Sequence, residues 1–385
     1  MNKVLLLTNI LPPYRIPVFN ALGQLLEPKG FKFKIAFMAE REENREWRVR
    51  KEELKVDYSI LPGWHKFLWQ AELPIHINPS IWNFLRRENP DVIIIGGYVL
   101  LSYWAALLYG RIFRKKLILW TSTTPECVKG RGPLRNALRR FFIRHVDAFV
   151  TYGTRASAFL EKSGVNSDSI FTGCNVGDTK FFRMAVFQYI EGSEFPKEKA
   201  KYDKPVLLYV GRFTPRKGIW QLLKALEALG SRTWSLIMVG SGPLQKQIEE
   251  YLQQSDLRDR VHIAGFLEKE DLVRFYAVAD IFILPSLLDR FGIVVSEALA
   301  SGLFTVVSRY AGAAWDLIEP GKNGLITDPL NPEDLRLNIE KAMDFVLSPE
   351  FSKKNIARSI DHLGPEKYAQ AFVDAVKYAL GRRSE

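Results

Sequence analysis

Cysteine is nearly absent from this chain. Cys127 and Cys174 are its only two in 385 residues, far apart and outside any CxxC spacing. That excludes a disulfide-stapled scaffold and a cysteine-based zinc site, and it suits a reducing compartment. Histidine is scarce as well, with five residues, so acid–base side chains of that type are in short supply. No acidic D-x-D metal motif stands in a suitable context, and no metal ligand set is expected. No leader is expected at the N-terminus: the apolar run Val4–Leu7 gives way to Asn9 and Pro12-Pro13 with no small-residue cleavage site after it. Only one long uncharged run exists, Val92–Gly110, nearly the length of a membrane span. Gly96-Gly97-Tyr98 interrupts it, and the β-branched Val92–Ile95 reads as a strand, with a buried helix over Leu100–Tyr109.

What is present is the composition of a folded globular chain: 47% apolar and 25% charged residues. The length suffices for two domains with separate cores. The net charge of +11 is unevenly placed. Residues 1–180 hold 27 Lys and Arg against 16 Asp and Glu, whereas residues 181–385 hold 27 of each. Within the first half, Arg111–Arg144 carries ten cations against Glu126 alone.

Apolar strands alternate with helical stretches along both halves. Lys3–Thr8, Phe31–Met38, Val92–Ile95, Lys116–Trp120 and Ala148–Tyr152 read as buried strands of residues 1–180. Residues 181–204 break the rhythm with mixed charge, Gly192 and Pro196, and are expected as a linker. The alternation restarts over 205–365, with strands at Val206–Val210, Ser235–Val239, Val261–Ala264, Ile281–Leu284 and Phe304–Val307. An amphipathic helix, 366–380, follows Pro365 and is expected to pack back on the first domain. This order predicts α/β architecture: two doubly wound, Rossmann-like domains with a ligand cleft at the carboxyl ends of their strands.

Two segments carry the chemistry. Gly211-Arg212-Phe213-Thr214-Pro215-Arg216-Lys217-Gly218 lies on a strand-to-helix junction. Glycine permits close backbone approach to a phosphate, Arg212 offers a fork to two oxygens, and Lys217 adds a point charge. Alone, it reads rather as a surface loop with two solvated cations. The run Asp289-Arg290-Phe291-Gly292-Ile293-Val294-Val295-Ser296-Glu297 sets two carboxylates eight positions apart across another such junction. There, amides at a helix start suit an anion, and Glu297 suits a ribose diol. Together they describe a grip on both ends of a nucleotide-sugar.

In order, G-R-x-x-x-x-K-G, V-G-x-G-P, the spaced carboxylates and Asn323-Gly324 resemble family 4 of the retaining glycosyltransferases, which have the GT-B fold of two facing Rossmann-like domains. The resemblance covers nearly the whole chain, and its specific part is the C-terminal half. It implies that Arg212 and Lys217 bind the donor diphosphate and Glu297 the ribose. Asp289 would stand near the donor sugar, where the family has a glutamate. By the same resemblance Phe291, Gly292, Ile293 and Val294 offer backbone amides to sugar and phosphate, Phe266 and Leu267 after Gly265 read the base, and Gly211 and Ser241 line the cleft. It implies a UDP- or GDP-linked donor, retention of configuration and no obligatory metal or cofactor, with Asp289, Arg212 and Lys217 as the catalytic group.

The first half departs from the family. Pro12-Pro13-Tyr14-Arg15 replaces a glycine pair, and Trp120 is followed by Thr121–Glu126 where many members place a histidine. No catalytic histidine is assigned; Arg15, Tyr98, Ser122 and Glu126 are the acceptor-side candidates, and His145 and His262 read as structural. Leu134, Leu138 and Phe141 fall at helical spacing beside Arg135, Arg139 and Arg140. This is either a basic helix lying on anionic lipid or a helix packed on its domain with solvated arginines. No nucleic-acid motif accompanies it. The resulting expectation is a glycosyltransferase of cell-envelope glycan or polysaccharide synthesis with a saccharide or lipid-linked acceptor, cytoplasmic and peripheral to the inner membrane face. The alternatives are a nucleotide-sugar epimerase and a non-catalytic, membrane-associated nucleotide-sugar-binding subunit.

Overall fold

The computed structural model describes residues 2–68, 73–128 and 132–381. These form two units: one runs to Asn175 and takes up the chain again from Pro365, and the other is Val176–Gly364.

In the first unit, strands β1 (Asn2–Thr8), β2 (Phe31–Phe37) and β3 (Asp57–Ile60) precede a hairpin of β4 (Trp64–Leu68) and β5 (Leu73–Ile77). Strands β6 (Val92–Ile95), β7 (Lys116–Thr121), β8 (Ala148–Thr151) and β9 (Ile170–Thr172) complete a parallel sheet in the order β3-β2-β1-β6-β7-β8-β9. Alternation along β1 serves two cores. Val4 and Leu6 face one cluster with Ile35, Ile94 and Trp120, while Leu5 and Leu7 face another with Ile93, Ile95 and Leu119. Both faces are covered, so the strands read as continuous apolar runs.

Helix Pro365–Ala379 belongs to the first cluster. Tyr368, Phe372 and Val376 recur every fourth residue and are fully buried, each contributing roughly 1.5–3 kcal/mol of burial. The Trp120 indole donates to Tyr368 Oη at 2.6 Å, which fixes the helix to β7.

The uncharged run resolves as β6 and helix Leu101–Ile112, and no described helix is long and apolar enough to cross a membrane. The helix differs from expectation. It is not buried all round: Ser102, Tyr103, Ala106 and Leu107 face the core, while Leu101, Leu108 and Ile112 are exposed.

The second unit holds β10 (Val206–Val210), β11 (Ser235–Val239), β12 (Val261–Gly265), β13 (Ile281–Leu284), β14 (Phe304–Ser308) and β15 (Gly324–Thr327). Its sheet is parallel in the order β12-β11-β10-β13-β14-β15. Strand order reverses between β10 and β13, and a crevice for ligands opens at such a point, outside the carboxyl ends.

Residues 181–204 are not a linker. They lie mostly in helices Thr179–Glu191 and Phe195–Lys199 of the second unit. Phe182 and Val186 are buried at i, i+4 spacing, and the Asp178 carboxylate caps the first helix by accepting from Phe181 N at 3.3 Å. Gly192 and Pro196 punctuate helix ends rather than irregular chain.

Candidate functional site

The reversal between β10 and β13 places the two chemical segments side by side in the second unit. Gly211 leaves β10, and its amide donates to Val239 O at 3.0 Å. Phe213, fully buried, anchors the loop: its amide donates to Ser241 O at 2.7 Å, and its carbonyl accepts from Leu244 N at 3.1 Å. Gly240 donates onward to Gly265 O at 2.8 Å. The Arg212 loop, the Gly240–Pro243 turn and the Gly265-Phe266-Leu267 segment are thereby stitched into one rim, with Phe266 exposed on it.

Gly218 has a function that spacing alone did not reveal. It sits at φ +70°, and a Cβ there would lie 1.9 Å from Pro285 O. Its missing side chain lets the Arg212 loop touch the segment after β13. The Arg216 carbonyl then accepts from Leu287 N at 2.8 Å.

This contact delivers Lys217 to Asp289. Lys217 Nζ stands 2.5 Å from Asp289 Oδ2, with both side chains largely buried. The other carboxylate oxygen accepts from Phe291 N at 3.3 Å. Burial alone would raise the Asp289 pKa, but Lys217, then Arg216 and the Phe291 amide, hold it below its ordinary value. Gly292 follows at φ +92°, where a Cβ would come within 2.8 Å of Leu284 Cδ2. The turn through Ile293 then enters helix Val294–Ala300, with Val295 N donating to Gly292 O at 3.0 Å.

Glu297 is the second carboxylate, and its surroundings are opposite. It is buried and accepts from Tyr276 Oη at 3.1 Å. Gly177 packs against it so closely that a Cβ there would lie 2.9 Å from Glu297 Oε1. Asp178 and Lys269 pair nearby at 3.7 Å. Burial pushes the Glu297 carboxyl up to about 7; Asp178 adds to the rise, while Tyr276 and Lys269 oppose it. One segment thus carries a firmly ionised carboxylate beside a cation and a carboxyl that changes charge near neutrality. Tyr276, Gly177 and Asp178 were not legible as site residues, because they lie far from Glu297 in sequence and in no motif with it.

The acceptor-side candidates fall at carboxyl ends of strands in the first unit. Arg15 is buried: it donates to Tyr152 Oη and lies 4.1 Å from the Trp120 ring centroid. The guanidinium is thereby clamped by a cation–π contact, an arrangement worth about 2 kcal/mol when desolvated. Tyr98 Oη meets Thr123 Oγ1 at 2.9 Å, beside the buried Ser122. Glu126 pairs with Arg155. His145 stacks on Phe141, and His262 meets Tyr202 edge-on.

A polar chain in this unit was not anticipated. Asn9 Nδ2 donates to Glu42 Oε1 at 2.7 Å, His76 Nε2 reaches the same oxygen at 3.3 Å, and His76 Nδ1 meets His65 Nδ1 at 3.1 Å. Its members come from two loops and the strands β4 and β5, without shared spacing. Among the described residues no His, Cys, Asp and Glu group is arranged to hold a metal ion.

Comparison with known proteins follows the same division of the chain. Residues 191–358 match the family described as Glycosyl transferases group 1. An uncharacterized glycosyltransferase of Methanocaldococcus jannaschii is 32% identical over 46% of this chain and 46% of its own length. The chain thus spans about half the length of that relative. Sucrose-phosphate synthase from Thermosynechococcus elongatus superposes with a TM-score of 0.73 at 18% identity, covering 99% of this chain and 100% of that one. HepE of Anabaena, solved in complex with UDP and glucose, gives 0.72 at 17% identity over 98% and 100%. At such identities the likeness speaks for the fold. This protein has a GT-B fold of two Rossmann-like units, and the stretch that matches the group 1 glycosyl transferases, residues 191–358, lies within its second unit.

Proposed function

We propose that the second unit binds a nucleoside-diphosphate sugar and that the protein transfers the sugar, with retention of configuration and without a metal, to a saccharide or lipid-linked acceptor received by the first unit. The observation that carries this reading is the Lys217–Asp289 pair, because it joins the cationic loop and the paired-carboxylate segment at one strand reversal. HepE, in complex with UDP and glucose, has the same fold, which supports a UDP-type donor.

Leaving-group stabilisation is the core of the mechanism. Negative charge grows on the diphosphate as the glycosidic bond breaks, and groups aimed at that charge act more strongly in the transition state than on the bound donor. Arg212 and Lys217 take this role. The incoming diphosphate competes with Asp289 for Lys217, and Asp289 turns toward the donor sugar while the Phe291 amide steadies it. Amides of Phe291, Gly292, Ile293 and Val294 border sugar and phosphate. Phe266 and Leu267 border the base, with Gly211 and Ser241 on the rim, and ionised Glu297 accepts from the ribose diol. Arg15 acts by positioning, whereas Tyr98, Ser122 and Glu126 border the acceptor. The setting is synthesis of cell-envelope glycan at the cytoplasmic membrane face.

The test is product formation. Purified protein is given UDP- or GDP-hexoses with saccharide and lipid-linked acceptors, and the new anomeric bond is read by NMR. A bond with the donor's configuration, formed in the presence of chelator, supports the proposal. An epimerised nucleotide-sugar, or binding with no product, replaces it with an epimerase or a binding subunit.

A further inference from the structure

We propose that helices Leu101–Ile112 and Pro133–Arg144 of the first unit form a docking surface for an anionic lipid bilayer. The inference deepens the lipid-linked side of the reading above, although docking itself stands apart from sugar transfer.

The apolar stripe of the second helix faces outward. Leu134, Leu138 and Phe141 are 71%, 46% and 51% exposed, while only Phe142 and Ile143 are buried beneath them. The first helix does the same with Leu101, Leu108 and Ile112, at 65%, 56% and 56%. An i, i+7, i+11 spacing keeps these three on one face. The first helix touches the C-terminal end of the second: Trp104 stacks on Phe141 with centroids 6.2 Å apart, and Arg111 Nε donates to His145 O at 2.8 Å. A groove of about 380 Å³ runs along this junction, lined by Trp104, Leu107, Leu108 and Phe141. Leu108 and Phe141 line the groove, and six large apolar side chains exposed on two touching helices exceed the scattered single exposures usual on a soluble surface.

Charge selects the occupant. Arg135, Arg140 and Arg144 are exposed on the second helix, and Arg114 is exposed just past the first. The one acid of 111–144, Glu126, is paired with Arg155 from outside that stretch. Lys129 and Arg131 lie outside the described residues. A second copy of this chain would set arginine against arginine across a two-fold interface, and a nucleic acid would use the cations but leave the leucines wet. An anionic bilayer receives both: the apolar stripe enters the acyl boundary while the arginines meet lipid phosphates.

The experiment is co-sedimentation of the full chain with phosphatidylcholine vesicles, with and without phosphatidylglycerol. Binding should require phosphatidylglycerol and weaken as salt rises. Arg135→Glu/Arg140→Glu/Arg144→Glu should lower partitioning roughly a hundredfold, and Leu108→Glu/Leu134→Glu about tenfold or more. All five side chains are exposed, so thermal midpoints should stay unchanged. Nucleotide-induced stabilisation, read in the same samples, separates loss of docking from failure of the donor reading. No binding to anionic vesicles, equal binding by the variants, or a dimer that Leu108→Glu/Leu134→Glu converts to monomer would overturn the proposal.

Discussion

Lys217 Nζ lies 2.5 Å from Asp289 Oδ2, joining residues 72 positions apart. The pair is largely buried, so each partner neutralises a charge the other would leave stranded. Replacing Lys217 or Asp289 by alanine should cost roughly 1–3 kcal/mol of stability, and the double replacement less than the sum of the two. Urea unfolding of the four proteins measures this coupling; strict additivity would show that the contact contributes nothing.

Catalysis should respond to the same cation by a different amount. Lys217→Ala and Arg212→Ala are each expected to lower kcat/KM by about 2–4 kcal/mol of transition-state stabilisation. Steady-state kinetics under conditions where both variants remain folded is the check. Wild-type turnover in either one removes that side chain from the diphosphate role.

Glu297 gives the site a pH signature. Its carboxyl is raised by burial from 4.5 to about 7, so between those values the folded chain holds a proton that the unfolded chain has lost. The sign follows: its contribution to stability is fully present below about 4.5 and is lost as pH rises through 7. Glu297→Gln should therefore gain stability over wild type at pH 8 and little at pH 4.5. Nucleotide binding should strengthen in wild type as pH rises through 7, because the ionised carboxylate accepts from the diol, and should stay flat in Glu297→Gln. A wild-type profile as flat as the variant's would contradict this.

Tyr276 should matter through Glu297 alone. Tyr276→Phe removes the hydroxyl donated to Glu297 Oε2, so the carboxyl titrates at still higher pH. Nucleotide affinity near neutrality should fall by about 1 kcal/mol and recover at higher pH. A loss that does not recover would assign the hydroxyl a direct contact instead.

Gly218→Ala should damage the site more than an ordinary loop change. The position needs φ +70°, and the new Cβ would meet Pro285 O at 1.9 Å. A positive φ costs alanine about 1–2 kcal/mol before any clash. Calorimetry should show a lowered unfolding midpoint together with weakened nucleotide binding. An unchanged midpoint would mean the two loops separate freely.

Sequence and structure agree where local signals are strong, and differ where tertiary packing decides. Val206–Val210 and Ile281–Leu284 were legible as strands to the residue, because both faces are buried and the runs are continuously apolar. Short or mixed strands were not: β9 has three residues, and β3 reads Asp-Tyr-Ser-Ile with no buried residue. The linker expectation failed because mixed charge and glycine near Gly192 outweighed the buried pair Phe182 and Val186. The apolar run after Gly97 was read as wholly buried, since composition does not tell an exposed stripe from a core-facing one. At the site, Arg212, Lys217, Asp289 and Glu297 announce themselves through motif spacing. Their differing protonation depends on Tyr276, Gly177 and Asp178, which only the fold brings near.

The most direct measurement is calorimetric titration of UDP, GDP and ADP into wild type, Lys217→Ala and Glu297→Ala at pH 8. The account predicts saturable binding of one nucleotide by wild type, with affinity reduced at least about tenfold in each variant, the loss of one charge-assisted contact. No binding of any of the three by wild type, or undiminished binding in both variants, would contradict a nucleoside-diphosphate site in the second unit.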